Sequence, residues 1–192
     1  MDYVFFSVGS FEQHGPHLPY ETDSLIADAV AKKVAKKIKA KVGGSIDVGV
    51  STEHMDFPGT KTLSVGEFKK KITKTLDETP SAFFVNAHGG NNRVLDELRV
   101  PHVNLTRFFK PYDHAGEIET SIMLYINPRL VKKEGIRKHK FSWPDKPGWR
   151  MKDYSESGVL GDPTKADEKK GREYLQILVD KTIDTIRDGS IL

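Results

Sequence analysis

The stretch that decides the fold runs from Tyr3 to Asp23 and reads YVFFSVGSFEQHGPHLPYETD. Its first part, Tyr3 to Gly9, is a short apolar run rich in aromatic and β-branched residues that ends in glycine, which predicts a buried strand followed by a loop. The loop carries carboxylate and imidazole side chains before a helix begins. Because the functional loops of α/β proteins follow strand ends, we expect chemistry here.

Short strands continue to alternate with amphipathic helices downstream. A lysine-faced helix comes next, with Ser24 as its expected N-cap, and a second strand is predicted from Lys41 to Ser51. A capping box, Ser64 to Glu67, begins another helix. Further strands are predicted from Ser81 to Asn86 and from Val100 to Phe108. This pattern predicts an α/β fold with a mostly parallel sheet covered on both faces.

The C-terminal third is less regular. Phe141 to Arg150 (FSWPDKPGWR) is typical of a loop or lid and not of a domain linker. Asp162 is the expected N-cap and Pro163 the first residue of a last helix. Since the chain has 192 residues and shows no internal repeat, we expect a single domain over residues 1–192.

The composition limits the classes of function. Hydrophobic residues are 37% and charged residues 30%, as in ordinary globular proteins. The chain has no cysteine, so any metal must be bound by histidine and carboxylate. The formal net charge of +3 is mild, and we interpret the basic stretch from Lys32 to Lys41 as a solvated helix face, with nucleic-acid binding as the alternative. The lack of a long apolar run or a basic leader predicts a cytoplasmic protein without nucleic-acid or membrane partners.

Three potential metal ligands lie in the loop that follows the first strand. Glu12 and His14 are two residues apart, so in an extended segment their side chains address one space. Gly15 and Pro16 turn the chain and allow Asp23 to return at the following helix. One imidazole and two carboxylates suit zinc, manganese or iron. An isolated E-x-H is more often a polar loop, so the metal interpretation depends on a second cluster.

Two further polar stretches supply that second cluster. His88 follows a predicted strand and precedes Gly89 and Gly90, which let backbone approach a ligand closely, although a glycine pair also suits an ordinary strand-to-helix turn. In HAGEIETS, residues 114–121, Glu117 and Glu119 each offer a carboxylate at a helix start, where acidic residues also favour the helix dipole. All of these groups follow strand ends or begin helices, so they are expected to converge.

Taken together, these stretches resemble the creatininase family of amidohydrolases, which shows G-S-x-E-Q-H-G-P-H-L-P followed by T-D, then N-x-H-G-G-N, then H-A-G-x-x-E-T-S. Gly158 to Ala166 (GVLGDPTKA) resembles a further segment of the family, so the resemblance spans Gly9 to Gly171. It implies a Rossmann-like three-layer α/β/α fold with a dinuclear metal site at the carboxyl edge of the sheet.

The resemblance also implies two divalent transition-metal ions per chain, which would be zinc, iron or manganese. The ligands that it implies are Glu12 and His88 for one ion, His14 for the other, and Asp23 as the bridging carboxylate. The creatinine-hydrolysing member of the family has a glutamate where Gly90 stands here, so that ligand cannot be carried over. Glu119 is the predicted replacement, and Glu117 is the second choice.

His114 resembles the family's catalytic histidine, which would protonate the leaving nitrogen, and Glu119 is counted with it among the catalytic residues. The implied reaction is metal-assisted hydrolysis of a small, non-peptide C–N bond, in which water attacks a carbonyl or amidine carbon. Trp143 and Trp149 are candidate walls for a flat heterocycle. The residues predicted to bind the substrate are Gly89, Gly90, Asn91 and Tyr112.

The substrate is expected to be a small molecule. A lysine-rich, cysteine-free chain of this kind resembles the archaeal branch that deformylates a formylamino-pyrimidine ribosyl phosphate on the way to riboflavin and deazaflavin. Lys61, Arg93, His17 and His102 are candidates to meet its phosphate. The alternatives are hydrolysis of creatinine or another cyclic amide, a non-catalytic metal- or nucleotide-binding protein, and isomerase or dehydratase chemistry on the same metals. Family members assemble, so a homo-oligomer is expected.

Overall fold

Four strands form one sheet in the computed structural model, which describes residues 2–189. They are β1 (Val4–Val8), β2 (Lys41–Ile46), β3 (Ala82–Asn86) and β4 (His102–Asn104), in the order β2-β1-β3-β4. All three pairings are parallel, so the carboxyl ends of the strands meet at one edge of the sheet. The prediction of a mostly parallel sheet is confirmed.

Helices cover both faces of this sheet. They are α1 (Thr22–Ile38), α2 (Val65–Glu78), α3 (Asn92–Leu98), α4 (Glu117–Ile126), α5 (Met151–Tyr154) and α6 (Glu168–Arg187). Phe5 and Phe83 point to one face and pack with α1, α4 and α6, whereas Val8 and Phe84 point to the other and pack with α2 and α3. The three-layer α/β/α fold is therefore confirmed. Among the described residues, no helix is both long and apolar enough to cross a membrane.

Two helices begin at other positions than predicted. Helix α1 begins at Thr22, so Ser24 lies inside the first turn and is not the N-cap. Asp162 caps only a short 3₁₀ turn that starts at Pro163, and α6 begins later, behind the N-cap Asp167. Both errors arise because several neighbouring residues have side chains that are suitable as N-caps. The residue at which the helix begins depends on the backbone conformation.

Other local predictions are confirmed with shorter bounds. Ser64 accepts a hydrogen bond from the Glu67 backbone N–H at 3.2 Å, and the Glu67 carboxylate accepts one from the Ser64 N–H at 2.8 Å, which completes the capping box. Strand β2 ends at Ile46 instead of Ser51, and β4 has only three residues. The segments that follow these short strands are free to fold over the carboxyl edge of the sheet.

Gly171 marks a close approach of α6 to α4, because a Cβ there would lie 1.8 Å from the carbonyl oxygen of Ser121. We expect Gly171→Ala to push the two helices apart and to lower the free energy of unfolding by about 1–3 kcal/mol. Gly66→Ala is the control: a Cβ at this exposed position in α2 meets no atom within 4 Å, so helix propensity should raise stability by up to ~1 kcal/mol. Urea unfolding followed by circular dichroism measures both. Equal stability of the two variants would contradict the close packing.

Candidate metal centre

Loops at the carboxyl edge of the sheet bring the five predicted ligands together. Glu12 and His14 lie in the segment after β1, and Asp23 lies in the first turn of α1. His88 follows β3, and Glu119 lies in the first turn of α4. Each of the five residues is at most 3% exposed. The structure thus gathers into one buried cluster side chains that are up to about a hundred residues apart in the sequence.

The potential ligand atoms form two overlapping triads. One triad is Glu12, Asp23 and His88, and the other is His14, Asp23 and Glu119, with the ligand atoms of each triad within 4.8 Å of one another. Asp23 belongs to both: its Oδ2 lies 3.1 Å from His88 Nδ1, and its Oδ1 lies 3.3 Å from His14 Nε2. A further group of the same kind contains Glu12, His14 and His114.

Backbone carbonyls determine which nitrogen of each histidine faces the cluster. The Nδ1 of His14 lies 3.0 Å from the Glu12 carbonyl oxygen, and the Nε2 of His88 lies 2.8 Å from the Val50 carbonyl oxygen. A carbonyl oxygen only accepts, so in the neutral ring each of these nitrogens carries the proton and the opposite nitrogen is bare. Histidines that bind metals are commonly oriented in this way.

The carboxylates are held in place as well. Ser10 Oγ donates a hydrogen bond to Asp23 Oδ2 at 2.8 Å, and the Ala115 backbone N–H donates to Glu119 Oε2 at 2.6 Å. Ala115 has a φ of 52°, in the left-handed region that alanine rarely adopts. Glu12 Oε2 is buried and has no hydrogen-bond partner among the described residues, which fits an oxygen whose partner is a cation.

The pKa values of the buried carboxylates and histidines are shifted by burial and by their mutual interactions. Burial acts to raise the pKa of Glu12 and of Asp23, but the neighbouring histidines outweigh it and hold both below their usual range. Burial acts to lower the pKa of His14, yet Asp23, Glu119 and Glu12 together outweigh burial and raise it to about 9. Burial also raises the pKa of Glu119 well above its ordinary value. Protons on the histidines and on Glu119 thus compensate the charge of the buried carboxylates. Divalent cations can supply the same positive charge in place of these protons.

His114 stands beside the two triads. It forms an antiparallel bridge with Leu160, with both backbone N–H to O distances at 2.9 Å. Its Nε2 lies 2.9 Å from the Gln13 carbonyl oxygen and so carries the proton, while its Nδ1 lies 3.8 Å from Glu12 Oε1. Burial and the nearby His14 lower the pKa of His114 well below its ordinary value, which keeps the ring neutral.

His54 is a further histidine of this cluster that none of the sequence motifs indicated. This residue ends a 3₁₀ turn in the segment after β2, and its Nε2 lies 3.3 Å from Glu12 Oε1. Its ring centroid lies 4.5 Å from that of His114. The available signal was its position after a predicted strand, which places it at the same sheet edge as the other histidines.

A cavity of about 660 Å³ opens onto the cluster. Gly89, Gly90 and Tyr112, three of the predicted substrate-binding residues, contribute to its lining. Trp143 and Trp149 also line it, so the Pro- and Trp-rich segment forms one wall of the cavity. The segment is irregular, as predicted for a loop or lid.

Asn91 and Glu117 belong neither to the lining of the cavity nor to the metal cluster. Asn91 is fully buried and does not line the cavity: its side-chain amide donates to the Gly9 carbonyl oxygen at 3.0 Å and accepts from the Val50 N–H at 2.9 Å. Glu117, the second choice for the fifth ligand, accepts hydrogen bonds from Lys170 Nζ at 2.9 Å and from the Tyr174 hydroxyl. It is absent from the three potential metal groups found among the described residues.

The fold and the buried histidine and carboxylate cluster define an α/β protein with a metal-hydrolase type of site at the strand ends. The family described as "Creatininase: Creatinine amidohydrolase" matches residues 1–186, and the chain therefore belongs to the creatininase family. Membership confirms the family resemblance and the prediction of a hydrolase that acts on C–N bonds.

Curated relatives carry three different names. A "mycofactocin precursor peptide peptidase" from Mycobacterium tuberculosis is 32% identical over 94% of this chain and 82% of its own length. A "2-amino-5-formylamino-6-ribosylaminopyrimidin-4(3H)-one 5'-monophosphate deformylase" from Methanothermobacter marburgensis is 31% identical over 60% of this chain and 56% of its own. "Creatinine amidohydrolase" from Pseudomonas putida is 25% identical over 96% of this chain and 88% of its own.

Solved structures agree with the fold. A structure of creatinine amidohydrolase superposes with a TM-score of 0.81 at 25% identity and covers 98% of this chain and 90% of that one. One described as "Creatininase Mn" gives a TM-score of 0.79 at 26% identity, over 98% of this chain and 91% of that one.

Metal binding is expected to release protons, because His14 has a pKa of about 9 and a cation must displace the protons of the cluster. The affinity for Zn²⁺ should therefore increase as the pH rises toward 9 and decrease as the pH falls. Calorimetric titration at pH 7 in buffers of different ionisation enthalpy measures the protons released, and at least one per chain is expected. An affinity that does not depend on pH would argue against His14 as a ligand.

Proposed function

We propose that the chain is a metal-dependent amidohydrolase that binds two divalent transition-metal ions, which are zinc, iron or manganese. The observation that carries this proposal is the pair of triads that share Asp23, in which both histidines turn toward the carboxylates the nitrogen that is bare when the ring is neutral. Glu12, His88 and Asp23 would hold one ion, and His14, Glu119 and Asp23 would hold the other. Bound ions of this kind polarise a carbonyl oxygen and lower the pKa of water.

His114 transfers the proton in this proposal. Its Nδ1 carries the free lone pair and faces Glu12, and the ring lines the cavity. A neutral imidazole accepts a proton from water and returns it to the leaving nitrogen. The lowered pKa of His114 makes its protonated form a stronger acid toward that nitrogen. The bond from its Nε2–H to the Gln13 carbonyl keeps the ring in this orientation.

Tyr112 binds the carbonyl oxygen of the substrate in the same proposal. Its hydroxyl is buried, and the residue lines the cavity, yet the hydroxyl has no hydrogen-bond partner among the described residues. Burial and the charges of Glu119 and Asp23 raise the pKa of Tyr112 well above its usual value, so the hydroxyl stays protonated and remains a donor. A buried donor without an acceptor costs about 1–3 kcal/mol, which a substrate oxygen would offset.

An amide bond of a short peptide is the substrate that we favour. The three names among the relatives share hydrolysis of an amide-type C–N bond, and those named as peptidases align with 94% and 96% of this chain. Two relatives named as deformylases align with 60% and 65% of it. A cavity of about 660 Å³ lies within the range of pockets that enclose a ligand of several hundred daltons, and it admits a peptide segment.

The formylamino-pyrimidine ribosyl phosphate is the second candidate substrate, and Arg93 is the observation that favours it. This arginine lines the cavity, where it could meet a phosphate, although its Nε is already 2.8 Å from Glu97 Oε1. Lys61, His17 and His102, the other phosphate candidates, are not among the described residues that line the cavity. One arginine that already pairs with a glutamate makes a weak phosphate-binding site. We therefore favour the peptide over the ribosyl phosphate as the substrate.

Elemental analysis of the wild type and of His88→Ala, each purified without added metal, tests the metal centre. About two transition-metal ions per chain are expected in the wild type, and fewer in the variant, because His88 supplies a ligand to one triad. His102→Ala is the matched control, since this histidine of β4 lies outside the cavity. A wild type that takes up no zinc, manganese or iron would refute the metal centre.

The substrate is then identified with the metal-loaded enzyme. Short peptides, the formylamino-pyrimidine ribosyl phosphate and creatinine are incubated in parallel, and the products are measured by mass spectrometry together with a formate assay. Peptide cleavage is the expected result. Formate release without peptide cleavage would establish the second candidate, and hydrolysis of creatinine alone would reject both.

Tyr112→Phe is expected to lower kcat about 100-fold, because it removes one donor to the oxygen that becomes negative in the transition state. The metal content should not change, since the hydroxyl is not a ligand in either triad. Tyr125→Phe, in α4 outside the cavity, is the control. Steady-state kinetics on whichever substrate is cleaved measures the effect, and a Tyr112→Phe variant with the wild-type kcat would remove Tyr112 from the mechanism.

A further inference from the structure

The side chain of Gln13 is fixed at both ends of its amide. Its Oε1 accepts a hydrogen bond from the Gly15 backbone N–H at 2.9 Å, and its Nε2 donates to the Gly158 carbonyl oxygen at 3.1 Å. A backbone N–H only donates and a carbonyl oxygen only accepts, so these two contacts determine which end of the amide is the oxygen and which the nitrogen.

The second amide hydrogen of Gln13 is donated to His54. The Gln13 Nε2 lies 2.9 Å from His54 Nδ1, so this ring nitrogen must accept. The proton of the neutral ring is then on Nε2, which lies 3.3 Å from Glu12 Oε1. Gln13 Nε2 also lies 3.3 Å from His114 Nε2, but that nitrogen already donates to the Gln13 carbonyl and cannot accept.

The ring nitrogen that His54 turns toward the carboxylates is therefore protonated, in contrast to the two ligand histidines. In the neutral ring, His14 and His88 each turn a bare nitrogen toward the carboxylates, because backbone carbonyls accept the N–H of the other nitrogen. His54 turns an N–H toward Glu12, because an amide N–H occupies its other nitrogen. A protonated ring nitrogen cannot bind a cation, but it can hold a carboxylate oxygen.

We propose that Gln13 is a positioning residue that keeps His54 in the Nε2–H tautomer, so that His54 donates to Glu12 and does not act as a metal ligand. This inference rests on the proposed function, in which Glu12 is a ligand of one ion. The arrangement keeps the Glu12 carboxylate in one orientation and restricts the ligand histidines beside it to His14 and His88. Partners of this kind typically change metal affinity or activity 10- to 100-fold when they are replaced.

The C-terminal part of the chain takes part in this arrangement. A Cβ at Gly158 would lie 1.9 Å from Gln13 Oε1, and this residue has a φ of 77°, so glycine suits the position on both grounds. The segment that contains Gly158 also pairs with the backbone of His114 through Leu160. This segment thus accepts one of the hydrogen bonds that fix the Gln13 amide.

Nitrogen NMR of protein with ¹⁵N-labelled histidine reads the tautomer directly, in the zinc-loaded enzyme and in the metal-free protein. The wild type is expected to show His54 with Nε2 protonated and Nδ1 bare. In Gln13→Glu the carboxylate only accepts, so His54 Nδ1 should become protonated. The same variant should lose 10- to 100-fold in kcat or in zinc affinity. Gln176→Glu, at the surface of α6, is the matched control and should change neither reading.

Variants of His54 provide a test that does not depend on the folding of Gln13→Glu. His54→Gln keeps an N–H donor near the former Nε2 and should retain activity within a few-fold, whereas His54→Ala should lose as much as Gln13→Glu. A wild-type His54 with Nδ1 protonated, or equal activity of the glutamine and alanine variants, would overturn the inference. A wild type that shows the expected tautomer but binds no metal would instead reject the proposed function.

Discussion

Three carboxylates, those of Glu12, Asp23 and Glu119, converge in one buried cluster at the bottom of the cavity. Like charges that are buried together are very unfavourable unless protons or cations compensate them. The parallel sheet creates this situation, because the carboxyl ends of β1 and β3 lie side by side and direct their loops to the same edge. Each of three features reduces this repulsion between buried carboxylates. They are the neighbouring histidines, the raised pKa of Glu119 and the proposed pair of metal ions.

Hydrogen bonds around the cluster then divide the histidines into two kinds. Backbone carbonyls take the N–H of His14 and of His88 and leave a bare nitrogen for a cation, whereas Gln13 donates to His54 and leaves it an N–H for Glu12. Side chains of one chemical type thus acquire different roles from their partners alone. The same reasoning gives His114 a free Nδ1 at the edge of the cavity, where the proposed mechanism uses a proton acceptor.

The walls of the cavity, more than the metal cluster, are expected to select the substrate. The chain is similar to proteins that are named for a peptide, a formylamino compound and creatinine, which are substrates of different shape. In this chain the walls contain Trp143, Trp149 and a single arginine, Arg93. Trp143 and Trp149 both lie in the irregular segment 141–150, whose sequence is typical of a loop or lid.

The sequence by itself determined the layered fold and the set of potential ligands, because apolar periodicity and the positions of acidic and imidazole residues after strands are local properties. It did not fix the start of α1 or of α6, where several side chains could cap, and it did not reveal His54, whose relevance depends on how the segment after β2 folds over the sheet edge. It ranked Glu119 ahead of Glu117, two residues away on the same helix, but it could not give the distance of either carboxylate from the other potential ligands. Only the tertiary structure decided these points, since the distance between two side chains, the tautomer of a histidine and the burial of a carboxylate depend on residues that are far away in the chain.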